Sequence, residues 1–364
     1  MASNKNQHFV PRCYLRQFSI DKNNKLINLF NIDRAMFFEK VPIKNQCSRN
    51  YFYGTNSTLE EAIQLSERAY SYSLAHLLDT NAQLSFNTGI NILRFWHLQN
   101  SRTEAASRRS VEMFEDTGLT IGSDSEFFKL EIKDAIQMAL MAFAHTMDIL
   151  DDLKIVLINN KSSIPFITSD DPAVYVNRWA INNKILSGRG TGLRSAGAIC
   201  ILPLSPKVCF FAYDKNIYSI QHKNGWIHVK SKSDIEIINL LQYLKAFANI
   251  YFNGNTNYEH IHSLHKEYLK LRSIPKFKIN YAELDETYHN GERYIVVDPK
   301  KANKSKNALV HMVSNHITPP SWPMFLHWRK GGYYLSNRTG VGPVRRVYMK
   351  HIEEPEYIKI KTGH

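Results

Sequence analysis

The stretch 198-AICILPLSPKVCFFAY-213 contains two short runs of aliphatic and aromatic residues around a Pro-Leu-Ser-Pro segment. Such side chains favour β-strands, and a proline-rich segment between two apolar runs predicts a turn. Runs of the same kind begin at position 153 (LKIVLI), position 164 (IPFITS) and position 173 (AVYV). The sequence therefore predicts a mixed or antiparallel sheet in the second half of the chain.

Helical patterns flank these strands, and a hairpin is expected over residues 26–38. One helix is expected from Leu59, with a core-facing stripe at Ala62, Leu65, Ala69, Tyr72 and Ala75. Further helices are expected over residues 86–113 and over residues 233–252. The expected fold is therefore α+β, with a helical N-terminal half packed on the sheet and a basic α+β appendage at the C-terminal end.

The helix expected over residues 86–113 has an apolar face that becomes polar towards its second half. Steps of three and four residues from Trp96 lead to Gln99, Arg102 and Thr103. A buried side chain of this kind without partners would cost about 1–3 kcal/mol, and more for a charge, so partners are expected if this face enters the core. The alternative is that the helix end emerges into water.

The chain is basic, with 46 Lys and Arg against 33 Asp and Glu in 364 residues and a net charge of +13. A change of composition near Gly254 predicts a main domain over residues 1–254 and a basic appendage over residues 255–364. Residues 261–364 hold 18 Lys and Arg but only 9 Asp and Glu. Cations mixed with aromatic rings suit phosphate contact and base stacking, so nucleic acid is the expected partner. The alternative is a solvated basic face.

The cysteines at positions 13, 47, 200 and 209 form no Cys-x-x-Cys pair, which argues against a structural zinc site. Scattered cysteines suit a reducing compartment, so a cytoplasmic location is expected. The first residues lack the apolar segment of a signal peptide, and the sequence has no run of eighteen apolar residues, so no membrane partner is expected.

Two polar stretches are candidates for chemistry. In the opening segment, Leu15 and Phe18 are expected to enter the core, which leaves His8 as a candidate base or phosphate ligand. At a strand end, the segment Thr168-Ser169-Asp170-Asp171 could present one carboxylate to a site. The alternative for this second stretch is an Asx turn without chemistry.

A glycine-rich loop over residues 188–197 carries Arg189 and Arg194, and backbone amides in such a loop can bind phosphate. A phosphate loop normally precedes a helix, whereas a strand is expected here, so a mobile hairpin loop is the alternative. The sequence contains no Gly-x-Ser-x-Gly and no His-Glu-x-x-His motif. No standard catalytic signature therefore assigns a reaction.

The ordered motifs of the chain include polar residues that a scaffold does not need in such number. They are His8-x-x-Pro11-x-x-Tyr14-Leu15-x-x-Phe18, CSRNYFY over 47–53, Glu60 and Glu67, Gln99-x-x-Arg102-Thr103, Thr168-Ser169-Asp170-x-Pro172 and Pro203-Leu204-Ser205-Pro206. This set resembles the family catalogued as domain of unknown function 4238, found widely in bacteria, over about residues 7–253. The resemblance implies a shared fold without a reaction. We expect one pocket to hold His8, Tyr14, Glu67, Gln99, Arg102, Ser169 and Asp170.

The expected function is nucleic-acid hydrolysis, by a metal-dependent nuclease or a toxin-like effector of phage defence. His8 is expected to act as general base or phosphate ligand, and Arg102, positioned by Gln99, to stabilise charge on phosphate. Asp170 and Glu67 are expected to bind Mg²⁺ or Mn²⁺ or to orient water, and no organic cofactor is expected. Substrate contacts are expected from Tyr14, Gln99, Ser169, Arg189, Arg194, Lys301, Lys304, Arg345 and Arg346. Two alternatives stay open, a non-catalytic nucleic-acid or partner-binding module and a small-molecule hydrolase or sensor.

Overall fold

The computed structural model describes residues 5–55, 57–80, 83–122, 128–183, 186, 192–254, 256, 258–272, 277–289, 291–303, 305–338, 341–347 and 356–363. The chain has an α+β fold in which a helical N-terminal half packs on a mixed sheet, as the sequence predicts. None of the helices within these ranges is long and apolar enough to cross a membrane.

Helices dominate the first part of the chain, strands the second, and small sheets the last. The first part contains β1 (Asn6–His8), α1 (Arg12–Leu15), β2 (Leu26–Asn31), β3 (Met36–Pro42), β4 (Ser48–Asn50), α2 (Ser57–Thr80), α3 (Phe86–Arg102), α4 (Glu104–Ile121) and α5 (Ile132–His145). The second contains β5 (Lys154–Asn160), β6 (Thr168–Ser169), β7 (Val174–Val176), α6 (Arg178–Asn182), β8 (Ile199–Pro203), β9 (Val208–Tyr213), β10 (Tyr218–Ser219), β11 (Trp226–Val229), α7 (Lys232–Lys245) and β12 (Asn249–Phe252). The last contains α8 (Tyr258–Arg272), β13 (Phe277–Tyr288), β14 (Gly291–Val297), β15 (Ala308–Ser314), β16 (His327–Trp328), β17 (Tyr333–Ser336) and β18 (Ile358–Lys361).

The central sheet has the strand order β11-β5-β9-β8-β7, with β11 parallel to β5 and the other neighbours antiparallel. Successive side chains of a strand point to opposite faces, and in β9 both faces are buried. Phe210 and Ala212 lie in a core shared with the N-terminal helices, whereas Cys209 and Phe211 lie in a second core shared with α7. Burial on both faces explains the uninterrupted apolar runs that predicted this sheet.

A second sheet, in the order β3-β2-β12-β6, joins distant parts of the chain. Its β2–β3 hairpin confirms the hairpin expected over residues 26–38. The helix expected to continue to Phe252 is wrong beyond Lys245, where α7 ends. The segment after it forms β12 instead, because pairing with β2 and β6 buries Ile250, Tyr251 and Phe252 on their core faces.

The face of α2 that enters the core is not the one expected from its apolar stripe. Leu65 is 63% exposed and Tyr72 is 79% exposed. The buried side chains are Ile63, Tyr70, Leu74 and Leu77, and the Tyr70 ring stacks on Phe95 with centroids 3.7 Å apart. The expected stripe depended on three alanines, which bury little apolar area. The larger side chains determine which face of α2 packs against the core.

The single helix expected over residues 86–113 is wrong, because the chain forms two helices that meet at Thr103. The Thr103 backbone is extended, and its hydroxyl caps α4 by accepting the N–H of Ala106. Gln99, Arg102 and Thr103 are all fully buried. The alternative that this region emerges into water is therefore wrong, and these buried polar groups need partners inside the core.

The C-terminal part contains a three-stranded antiparallel sheet, β14-β13-β15, and the β17–β18 pair. Helix α8 lies beyond the expected boundary at Gly254 but packs on the main domain, where Arg272 Nη1 donates to the carbonyls of Tyr243 and Ala246. The division at that position stays a prediction.

Candidate active site

The opening segment is held by β1, which pairs antiparallel with β4 and places His8 opposite Ser48. The Phe9 N–H donates to the Cys47 carbonyl at 2.9 Å, and Pro11 keeps the backbone extended until α1 begins. Leu15 and Phe18 are fully buried, as predicted. These contacts anchor the segment so that His8 lies at the edge of a cavity.

This cavity, which we call the His8 cavity, has a volume of about 540 Å³, within the usual range for small-molecule sites. Its walls are β1, the start of α1, the loop before β4, Tyr53 and one face of α2. The lining residues are Asn6, Gln7, His8, Pro11, Arg12, Cys13, Lys44, Asn45, Tyr53, Glu60, Ile63, Gln64 and Glu67. The cavity therefore combines cations, carboxylates and neutral hydrogen-bonding groups in one space.

Tyr53 is fixed in this wall by the buried side chain of Gln7. The Gln7 Oε1 accepts the Tyr53 N–H at 2.7 Å, and its Nε2 donates to the Gly54 carbonyl at 3.0 Å. The Tyr53 hydroxyl donates to the His8 carbonyl at 3.1 Å. Burial raises the pKa of Tyr53 to about 12, so this hydroxyl stays protonated and ties the cavity wall to the His8 backbone.

Arg102 lies directly behind the cavity and has no exposed side-chain area. Its Nη1 is 2.8 Å from Glu67 Oε1, and its Nε donates to Gln99 Oε1 at 3.1 Å. Gln99 in turn donates to the Phe9 carbonyl at 3.4 Å, next to His8. The prediction that Gln99 positions Arg102 agrees with these contacts. Glu67 supplies the countercharge that a buried guanidinium requires.

His8 is a neutral imidazole in this environment. Burial lowers the pKa of His8 to about 4, and the charges of Arg12 and Arg102 act in the same direction against a hydrogen bond to the Lys44 backbone. The buried Nε2 atom of His8 makes no hydrogen bond within the described residues. A neutral imidazole with an unpartnered nitrogen can accept a proton from a bound group. His8 is therefore deprotonated near neutral pH, which is the form that a general base needs.

Tyr14 and Ser169 do not line the His8 cavity, which corrects the expectation that they contact substrate there. Tyr14 is fully buried, and its hydroxyl contacts Thr168 Oγ1 at 2.6 Å and donates to the Pro203 carbonyl at 2.7 Å. The Ser169 hydroxyl donates to Gln242 Oε1 at 3.1 Å. Both side chains join sheet elements to their neighbours, because their polar atoms are already satisfied within the core.

Asp170 is also outside the lining of the His8 cavity. Its carboxylate accepts the backbone N–H groups of Phe247, Ala248 and Asn249 at 2.8–2.9 Å. Burial raises the pKa of Asp170 to about 6, against these three hydrogen bonds. Asp170 thus orders the turn between α7 and β12 rather than facing the cavity with His8.

The expected metal ligands do not form a recognisable cation site. The Glu67 carboxylate is paired with Arg102, and the Asp170 carboxylate is saturated by backbone donors. Within the ranges that the structure describes, no group of three or more His, Cys, Asp or Glu side chains could hold a metal. This donor set does not fit Mg²⁺ or Mn²⁺.

The basic residues expected to contact substrate fall into different environments. Arg345 is only 3% exposed, and its guanidinium pairs with Asp152 and donates to the Ile149 and Ser195 carbonyls. It anchors the C-terminal segment to the main domain, which corrects its expected role. Arg346 is paired with Asp148 and Asp152.

Four basic residues remain, and the structure describes two of them, Lys301 and Arg194. Lys301 is exposed and accessible to a phosphate, whereas Arg194 is half-buried and does not line the His8 cavity. The Arg194 carbonyl accepts the Arg345 N–H, so it belongs to the same junction. Arg189 and Lys304 lie outside the described residues.

Most of the cavity lining was not predicted from the sequence, and Arg12, Lys44 and Tyr53 are the clearest examples. Arg12 stands inside the opening motif, and Tyr53 ends the CSRNYFY segment, so both were visible but had no assigned role. The signal that could have found them is the β1–β4 pairing, which brings the two motifs together. Lys44 lies in the helical turn before β4 and has no sequence signature of its own.

The chain matches a family model described as protein of unknown function (DUF4238) over residues 6–256. No curated protein and no solved structure matches the chain. The matched segment contains the whole described lining of the His8 cavity together with Gln99 and Arg102. The polar network behind the cavity thus lies inside the family unit, and most of the basic appendage lies outside it.

Proposed function

Because the chain belongs to the DUF4238 family, and the family unit contains the His8 cavity, we propose that this cavity is the reaction centre of a hydrolase that cleaves phosphodiester bonds in nucleic acid. The observation that supports the proposal is a neutral His8 with an unpartnered Nε2 beside two guanidinium groups. A base and nearby positive charge are the two components that phosphoryl-transfer chemistry needs from a protein.

In the proposed reaction, His8 Nε2 accepts the proton of an attacking water while the water oxygen forms a bond to phosphorus. The bond from phosphorus to the leaving oxygen breaks, and that oxygen takes up a proton from solvent water, while the protonated His8 releases its proton to solvent and becomes neutral again. Arg12 lines the cavity and contacts the phosphate. Arg102 is fully buried, so it acts through its charge and is held in place by Gln99 and Glu67.

Anion binding would also prepare the base for its role. The charges of Arg12 and Arg102 hold the pKa of His8 below its ordinary value, in addition to the effect of burial. A bound phosphate offsets those charges, so it raises the proton affinity of His8 when substrate is present. The substrate therefore increases the basicity of the group that activates the water.

The excess positive charge after residue 261 supports nucleic acid as the substrate class. Exposed cations such as Lys301 would contact the phosphate backbone, which makes binding weaken as salt concentration rises. Replacing Lys300 and Lys301 with Glu should lower nucleic-acid affinity and reduce this salt dependence. The same change should leave the His8 cavity intact, because neither residue lines it.

The test is cleavage of supercoiled DNA, single-stranded DNA, tRNA and mRNA by the full-length protein with Mg²⁺, with Mn²⁺ and with EDTA. His8→Asn should lower the cleavage rate by about 100-fold or more, because it removes the base. His228→Asn is the matched control, since His228 is exposed on β11 and outside the cavity. Absence of cleavage of every substrate would contradict the hydrolase proposal.

A non-catalytic nucleic-acid-binding module is the second candidate. The observation that favours it is that the described lining of the His8 cavity contains none of the basic residues after position 261. This candidate predicts salt-sensitive binding with no turnover, and equal binding by His8→Asn and the native chain. Loss of cleavage with retained binding in His8→Asn would instead support the hydrolase.

A further inference from the structure

A second cavity lies between the main domain and the first strands of the C-terminal part, and the proposed reaction does not use it. We call it the Arg109 cavity, and its volume is about 510 Å³. Helices α4, α5 and α7 contribute residues such as Arg109, Ala142 and Lys245 to its walls. Strands β13 and β15 contribute Phe277 and Met312. The cavity is therefore formed jointly by the family unit and the segment that follows it.

The polar part of the Arg109 cavity is built on a buried carboxylate. Asp171 has no exposed side-chain area, and its Oδ2 is 2.6 Å from Arg109 Nη1 and 3.3 Å from Lys245 Nζ. Its Oδ1 accepts the Thr103 hydroxyl at 2.9 Å. Burial would raise the pKa of Asp171, but the charges of Arg109 and Lys245 outweigh it and lower the pKa. The carboxylate therefore stays ionised and holds both cations at the cavity.

Arg109 and Lys245 bring two cationic side chains to this end of the cavity, and both pair with the single buried carboxylate of Asp171. The Arg109 side chain is 28% exposed and the Lys245 side chain is 13% exposed, so both retain access to the cavity while Asp171 is hidden. Asn100 and Ser110 add neutral polar groups to the lining. The two cationic and two neutral polar side chains can therefore bind an anionic group with several donors.

Another part of the lining is apolar. It consists of aliphatic, thioether and aromatic side chains, namely Met113, Ala139, Ala142, Phe277, Met312 and Ile317. Thioether and aromatic groups pack well against flat ring systems. An apolar wall of this kind offers no hydrogen-bond donors to a free inorganic anion. The lining therefore matches a molecule with an anionic head and a flat apolar body.

From this juxtaposition we propose that the Arg109 cavity is a binding site for a small molecule that carries a phosphate or carboxylate head on an aromatic body, with the head at Arg109 and Lys245. The head is recognised by the Arg109 guanidinium and the Lys245 ammonium group. The body is recognised by the apolar wall that β13 and β15 close. The site is separate from the His8 cavity, because the two linings share no residue.

The probes for this site are adenosine 5′-monophosphate, phenylacetate, adenosine and inorganic phosphate, measured by isothermal titration calorimetry on the full-length protein. We expect one of the two anionic aromatic probes to bind, which distinguishes the phosphate head from the carboxylate head. Adenosine should bind at least about tenfold more weakly than its monophosphate if phosphate is the head. Equal binding of adenosine and its monophosphate would overturn the role of the cations. Absence of binding by both anionic aromatic probes at millimolar concentration would overturn the proposal.

Two pairs of variants locate the binding. Arg109→Gln should weaken ligand binding by about tenfold or more. Arg108→Gln removes the same charge one residue away and should leave ligand binding unchanged. Ala142→Phe fills the cavity without touching the ionic cluster, and Ala144→Phe adds the same ring at an exposed position of α5 outside the lining. Unchanged affinity in both Arg109→Gln and Ala142→Phe would place the ligand elsewhere and overturn the proposal.

Discussion

Replacing Glu67 with Gln is the sharpest perturbation of the network behind the His8 cavity. The substitution keeps the shape of the side chain but removes the negative charge 2.8 Å from Arg102 Nη1. Arg102 has no exposed area, so its guanidinium would remain charged and buried with only neutral partners. The expected result is a large loss of stability from a change at a partly exposed residue.

The size of the effect follows from the geometry. Two unit charges about 4 Å apart attract by about 4 kcal/mol at an effective dielectric constant of about 20. Removing one partner of a buried pair costs about 3–5 kcal/mol in general. Because the Glu67 side chain is 24% exposed, water screens part of its charge, and we expect Glu67→Gln to lower the free energy of unfolding by about 2–4 kcal/mol.

The assay is urea unfolding followed by circular dichroism near neutral pH, with Glu60→Gln as the matched control. Glu60 lies on the same face of α2 and lines the same cavity, but no described cation pairs with it, so its replacement should change stability by no more than about 0.5 kcal/mol. The double variant Glu67→Gln with Arg102→Met should be more stable than the sum of the single changes predicts, with a coupling of about 2 kcal/mol. Equal stability of the native chain and Glu67→Gln would refute the claim that Arg102 is a buried charge held by Glu67.

Three other predictions follow from single side chains. Asp170→Asn should lower the free energy of unfolding by about 2–4 kcal/mol in urea unfolding, because an amide cannot accept all three backbone N–H groups, while leaving the His8 cavity in place. His97 is 2% exposed and burial lowers its pKa from 6.5 to about 4, so acid favours the unfolded chain. As the pH is lowered from 6.5 to 4, the free energy of unfolding of the native chain should therefore fall by about 1.4 kcal/mol per pH unit more than that of His97→Leu. If the free energies of unfolding of the two proteins change in parallel with pH, this prediction is wrong. Arg345→Met should cost about 3–5 kcal/mol and accelerate amide hydrogen exchange over residues 341–347, whereas unchanged exchange would show that Arg345 does not anchor that segment.

The sheet and the buried anchors of the opening segment could be predicted because local sequence decides them. The run VCFFAY needs burial on both faces wherever it lies, and Leu15 and Phe18 form one apolar turn after Pro11. By contrast, the run ANIYF follows a helix pattern without a break, and only pairing with β2 and β6 makes it a strand. Long-range pairing of this kind leaves no periodic signal in one sequence.

The candidate site could be predicted only in part, because long-range contacts also decide which polar residues come together. His8, Glu67, Gln99 and Arg102 do converge, as the ordered motifs suggested. Asp170 was expected with them because reactive side chains often lie at strand ends. Its carboxylate instead accepts backbone N–H groups of the turn before β12. Which polar residue satisfies a backbone and which faces a cavity depends on spatial neighbours.

The most direct test of the central claim is an NMR titration of the His8 imidazole, with and without saturating inorganic phosphate. The chain contains 15 histidines, so His8→Asn is needed to assign the signal. We expect a pKa of about 4 for His8 in the free protein, rising by about one unit when phosphate offsets the charges of Arg12 and Arg102. A pKa near 6.5 that phosphate does not change would contradict the claim that His8 is a neutral base beside an anion-binding cavity.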